Sequence, residues 1–133
     1  MEEIELMLDL HVETKTVYIH VYKDNMRTNN YNSFWEFYPF YLSQHQNSIC
    51  RLLHFIGTSL IILLFVFYVN TPADLILIPL VGYGFAWAGH FFFEKNRPAT
   101  FTYPLYSFIG DWLMFKDILF KKESIINPKL PIK

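Results

Sequence analysis

Apolar positions along the chain gather into two long runs with a short polar break between them. Phe55 to Val69 is apolar apart from Gly57, Thr58 and Ser59, and Leu52 and Leu53 extend it backwards. Leu75 to Phe93 is a run of nineteen residues whose only titratable side chains are Tyr83 and His90, and Asp74 is the only formal charge between Phe55 and Phe93. A helix of about 20 apolar residues crosses a bilayer core. Both runs qualify, which predicts spans over about 50–69 and 74–93. Between them, Asn70-Thr71-Pro72-Ala73-Asp74 reads as a stop and a restart. Thr71 is placed as N-cap, Pro72 at the first helical position and Asp74 in the first turn, near the positive end of the helix dipole. So short a loop forces an antiparallel hairpin. The alternative is a buried two-helix core of a soluble protein, but 133 residues offer too little polar surface to wrap two helices apolar on all sides.

The flanks carry a different pattern. Ser33 and Glu36 have the spacing of a capping box, so a helix is expected from there to about His45. It is heavily aromatic (Phe34, Trp35, Phe37, Tyr38, Phe40, Tyr41), and Pro39 is expected to kink it. Trp and Tyr at this density favour the membrane–water interface; packing onto the hairpin is the alternative. After Pro98 and Pro104, Leu105 to about Lys122 returns to helical spacing, with Leu105, Phe108, Ile109, Trp112 and Leu119 close to one side. Lys116, Lys121 and Lys122 suit a helix lying on the cytoplasmic leaflet. Thr16 to Tyr22 alternates in the manner of a strand. The expected architecture is therefore an all-α membrane protein, a two-span helical hairpin flanked by amphipathic interfacial helices. Its predicted division is an acidic N-terminal extension over 1–30, strand-like or disordered, a helical membrane domain over 31–122 and a flexible tail over 123–133. Met26 is a candidate functional start.

Charge and composition narrow the function. The chain is 53% hydrophobic, 20% aromatic and 17% charged, with net charge −1, whereas soluble domains carry about 25% charged residues. Disorder and a strongly basic nucleic-acid binder are excluded. One cysteine, Cys50, allows no internal disulfide and no multi-cysteine zinc site; beside Arg51 at the interface it is a candidate for palmitoylation. Arg51 precedes the first span, Lys95 and Arg97 follow the second, and the hairpin tip has neither Lys nor Arg. The positive-inside bias puts both chain ends in the cytoplasm of a multi-pass protein, in the endoplasmic reticulum of a eukaryote or the inner membrane of a bacterium.

The histidines suggest chemistry. His11 and His20 read as surface residues. His54 lies sixteen residues before Asn70, and His90 sixteen after Asp74, so on antiparallel helices both sit about 24 Å from the hairpin tip. His45 reaches the same interface at the end of the aromatic helix, and Glu94 is placed i, i+4 from His90. His45, His54, His90 and Glu94 can thus converge on one point as metal ligands, a set that suits non-heme Fe(II), with zinc as competitor. The plain alternative is interfacial hydrogen bonding by residues that snorkel toward water. Gly82, Gly84, Gly89, Ala86 and Ala88 let helices approach closely or leave a channel for a lipid tail. The candidate catalytic residues are Arg97, whose fork could hold a substrate carboxylate or pair with Glu94 or a lipid phosphate, and Asp111, which could orient a ligand histidine.

Two segments look familiar. His45-Gln46-Asn47-Ser48-Ile49-Cys50-Arg51-Leu52-Leu53-His54-Phe55-Ile56-Gly57-Thr58 and the stretch from Gly82 to Ala99, with its Gly-His-x3-Glu-x2-Arg-Pro-Ala element at Gly89 to Ala99, resemble a family of small membrane proteins. That family includes the yeast 2-hydroxy fatty acid dioxygenase, and the resemblance covers about Phe34 to Phe120. It implies an Fe(II)-dependent alpha-oxidation in which a long-chain 2-hydroxy fatty acid and O2 give an acid one carbon shorter. It also implies iron ligands at His45, His54 and His90. Fungal members are longer, with more spans; this chain resembles the short form. The competing classes are a non-catalytic membrane protein that binds lipid or a partner, and a zinc-dependent lipid hydrolase.

Overall fold

The computed structural model describes Ile4 and residues 30–129. The alternating stretch at Thr16–Tyr22, His11, His20 and the candidate start at Met26 lie outside those residues. The described chain is all helical: α1 (Phe34–Ser43), α2 (Ser48–Phe67), α3 (Leu77–Ala88) and α4 (Pro104–Leu119), with no strand among the described residues. A 3₁₀ turn over Pro72–Ile76 leads into α3, a π-helical turn over Gly89–Glu94 prolongs it, and a further 3₁₀ turn covers Ala99–Phe101.

The helix boundaries follow from local chemistry. The Ser33 hydroxyl accepts from the Glu36 amide at 3.3 Å, and Glu36 reaches back to the Asn32 amide at 3.1 Å, so the expected cap starts α1. Pro39 sits inside that helix without ending it. Asn47 Oδ1 accepts from the amides of Ile49 and Cys50 at 2.9 and 3.2 Å, starting α2 at Ser48. At the hairpin tip the Asp74 carboxylate accepts from the Asn70 amide (3.1 Å), the Thr71 amide (2.8 Å) and the Thr71 hydroxyl (3.0 Å), which closes the turn.

Two helices, Ser48–Phe67 and Pro72–Glu94, are long and apolar enough to cross a membrane, and only 28% and 17% of their apolar windows are buried. The rest of those surfaces, including Leu63, Phe65, Phe67, Leu80 and Phe92, faces outward. Small residues bring the two together: a Cβ on Gly57 would lie 2.9 Å from Phe85 Cβ, and one on Gly82 would lie 2.8 Å from Ile61 Cδ1.

The principal buried cluster lies elsewhere. Phe37, Phe40, Tyr41 and Leu42 of α1 pack with Ala99 and Met114, so the aromatic helix rests on α4, and α4 in turn rests on α2. Trp35 remains 71% exposed. Arg51, expected at the headgroups, is fully buried. Its Nε donates to the His45 carbonyl at 2.6 Å and its Nη1 to Glu123 at 2.8 Å and to the Ser124 carbonyl at 3.1 Å. The start of the segment expected to be a loose tail is therefore tied to the N-terminal end of α2.

Candidate metal centre

His45 leaves the end of α1, His54 projects from the second turn of α2, and His90 sits in the π-helical turn after α3. All three are buried, at 0%, 6% and 3% exposure. Their ring centroids are 4.5 Å (His45–His54), 4.5 Å (His45–His90) and 5.1 Å (His54–His90) apart. The equal sixteen-residue separations of His54 and His90 from the hairpin loop level the two rings.

Each ring is oriented by an oxygen at Nδ1. His45 Nδ1 donates to the Tyr41 carbonyl at 2.6 Å, His54 Nδ1 to Asp111 Oδ1 at 3.0 Å, and His90 Nδ1 to Asn96 Oδ1 at 2.7 Å. The Asn96 amide orientation follows from its other end, whose Nδ2 donates to the Gln44 carbonyl at 3.0 Å. Tyr41 OH donates to the same Asp111 oxygen, so Asp111 holds a ring and a phenol together. A neutral imidazole that donates through Nδ1 carries its lone pair on Nε2. The Nε2 atoms of His45 and His54 are buried and have no hydrogen-bond partner, a costly arrangement in a packed interior. Burial, followed by the neighbouring His54 and His90, holds the His45 pKa well below the usual imidazole range, so the ring stays neutral.

A small cavity of about 10 Å³ lies among the three rings, bounded also by Tyr41, Ser107 and Asp111. That is room for one small particle. The three histidines and the Cys50 thiol offer donor atoms that all lie within 4.8 Å of one another. Imidazoles that donate one ring N–H to an oxygen acceptor, which fixes tautomer and orientation, are the usual arrangement of metal-ligating histidines. Convergent donors, buried nitrogens without partners and a void of ionic size together fit a bound metal ion.

The other expected residues are distributed differently. Glu94 lies outside the cluster: its two carboxylate oxygens accept from the amides of Gln46 (3.1 Å) and Asn47 (2.6 Å). A carboxylate there satisfies amides at the start of α2 and meets the positive end of that helix, tying the close of one span to the opening of the other. Arg97 is exposed, its guanidinium 5.4 Å from the Phe101 ring centroid, and is not among the residues bounding the small cavity. Asp111 Oδ1 accepts from His54 Nδ1 at 3.0 Å.

Several contributors were not singled out from sequence. Asn96, Tyr41 and Ser107 carried no motif; Ser107 is 2% exposed and its hydroxyl has no partner. Cys50 is fully buried and faces Gly89, where an added Cβ would lie 3.0 Å from its Sγ. That is no position for an acyl modification.

A family model described as 2-hydroxy-palmitic acid dioxygenase Mpo1-like matches residues 31–123. The chain belongs to this Mpo1-like family. The matched stretch contains all four helices and every residue of the histidine cluster, so the expected family resemblance holds over the whole site. No curated protein and no solved structure matches the chain.

Proposed function

We propose that the protein is an Fe(II)-dependent dioxygenase of long-chain 2-hydroxy fatty acids, shortening them by one carbon with loss of the carboxyl carbon. The observation that carries this reading is the convergence of His45, His54 and His90, each with its Nδ1 engaged by an oxygen. The family description supports the substrate class and the oxidative chemistry.

In this reading His45, His54 and His90 hold the metal through Nε2. Bound ferrous iron would supply the reactivity toward dioxygen that no amino-acid side chain offers. Asp111, Asn96 and the Tyr41 carbonyl keep the three rings turned inward, and Glu94 holds the two spans in register beneath them. Burial of the cluster keeps water from competing for the site. Arg97 is the cation proposed to meet the substrate carboxylate, where its planar fork can bind both oxygens. The two apolar helices embed the protein in a lipid bilayer with the cluster near one interface. Lys95, Arg97, Lys121 and Lys122 at that end support a cytoplasmic orientation.

Three histidines are also the donor set of hydrolytic zinc enzymes, which favours a zinc-dependent lipid hydrolase as the second reading. Oxygen consumption by the purified protein with 2-hydroxypalmitate separates the two. The proposal requires stoichiometric oxygen uptake and a C15 acid, both lost in His90→Ala. An oxygen-independent lipid hydrolysis that survives replacement of iron by zinc would overturn it.

A further inference from the structure

A second, larger cavity of about 200 Å³ begins where the histidine cluster ends. His54 and Asp111 form its polar end; Thr58 and Ile61 line it from α2, Gly82 and Ala86 from α3. It exists for two reasons. α2 packs against both α3 and α4, whereas those two make little contact with each other, and at Gly82 and Ala86 the α3 wall carries little or no side chain. Ile61 reaches across: its Cδ1 is 2.8 Å from where a Cβ on Gly82 would sit. Ile78 and Pro79 line the part nearest the hairpin tip. From Ala86 to Ile78 is eight residues, about 12 Å along the helix.

We propose that this cavity is the acyl-chain site, and that Ile61 and Ile78 set the chain length accepted. The proposal rests on reading the histidine cluster as the centre that acts on a 2-hydroxy acid. The cavity's polarity selects the ligand class. One end carries the Asp111 carboxylate and His54, a member of the histidine cluster that is 6% exposed, so this end opens onto the proposed centre. The remaining lining is almost wholly apolar, so the matching ligand is an amphiphile with its head at His54 and its tail toward the hairpin tip. Lipid tails are as apolar as these walls, so drawing a chain out of the bilayer brings no transfer gain per methylene. Discrimination must come from the anchored head and from fit against Ile61 and Ile78, where excess length is refused by close packing.

The test uses the full chain in phosphatidylcholine nanodiscs with 2-hydroxypalmitate analogues carrying a diazirine at successive carbons. After irradiation, labels that excess unlabelled 2-hydroxypalmitate removes are mapped by mass spectrometry. Head-proximal probes are expected on Thr58 or Ala86, and distal probes on Ile61 or Ile78. Ile78→Trp should erase the deep labels, lower kcat/KM for 2-hydroxypalmitate relative to 2-hydroxylaurate at least tenfold, and leave metal content per chain unchanged. Ile61→Ala, which enlarges the cavity, should move the preference toward longer acids. Competable labels on another face, with oxygen uptake intact, would overturn the cavity and spare the proposed reaction. No competable label together with no turnover would overturn both, and a chain-length preference unmoved by either variant would overturn the role of Ile61 and Ile78.

Discussion

Asn96, an unspecified position inside the Gly89–Ala99 element, fixes the orientation of a proposed metal ligand. Its Oδ1 accepts from His90 Nδ1 at 2.7 Å while its Nδ2 donates to the Gln44 carbonyl at 3.0 Å, so its amide cannot turn over without losing both bonds. Removing it frees His90 to adopt the other tautomer. Asn96→Ala is expected to weaken metal affinity about 10- to 100-fold, measured by competition with a chromophoric chelator, with the three ligands unchanged. His45 adds a pH dependence. Its folded-state pKa is held well below the ordinary 6.5, so below that pH the unfolded chain takes up a proton that the folded chain refuses. Stability of the metal-free protein should be level above about pH 7 and fall as the pH drops through 6.5, by at most about 1.4 kcal/mol per pH unit for this one group. Melting temperatures between pH 5 and 8 check this; a midpoint that rises on acidification would contradict it.

At the scale of the element, the turn that carries His90 matters most. Gly89–Glu94 is π-helical rather than α-helical, a local widening often found at functional sites. Lys95 then takes a left-handed conformation, φ 56°, which reverses the chain and brings Asn96 back beneath His90. Gly89 is needed because its missing side chain admits α2: a Cβ there would lie 3.2 Å from Cys50 Cα and 3.4 Å from the Cys50 carbonyl oxygen. Backbone cannot yield as a flexible side chain does, so Gly89→Val should cost about 1–3 kcal/mol and lower both melting temperature and metal content. Much at this scale was legible in the sequence. The apolar runs, the Pro72 restart and the Ser33 cap each express a single local rule; α1 begins at its cap, whereas Pro72 opens a 3₁₀ turn that becomes α-helical only at Leu77. The role of Glu94 was not legible. Spacing of i, i+4 from His90 implies a shared face, but the carboxylate instead meets the amides of Gln46 and Asn47, in the connection that leads into α2.

For the whole molecule, the centre draws on positions distant in sequence: His45 just past the aromatic helix, His54 and His90 on the hairpin, Asp111 on α4. Counting residues on an antiparallel hairpin sufficed to level His54 with His90, because the rise per residue is constant and the loop is short. The packing of α1 on α4 was beyond such counting. It depends on the ring contacts of Phe37, Phe40 and Tyr41 and on the close fit of Gly110 under Tyr41, where a Cβ would lie 2.9 Å from the ring. The burial of Arg51 is likewise out of reach of local pattern, since its partners Glu123 and Ser124 lie more than seventy residues away in sequence. These contacts carry His45 and Asp111 to the hairpin and so complete the site. The most direct test is elemental analysis of the protein purified from iron-replete cells, alongside His45→Ala, His54→Ala and His90→Ala. One iron per chain, lost in each variant while the helical circular dichroism persists, is the predicted result. A metal content near zero, or one indifferent to all three substitutions, would contradict it.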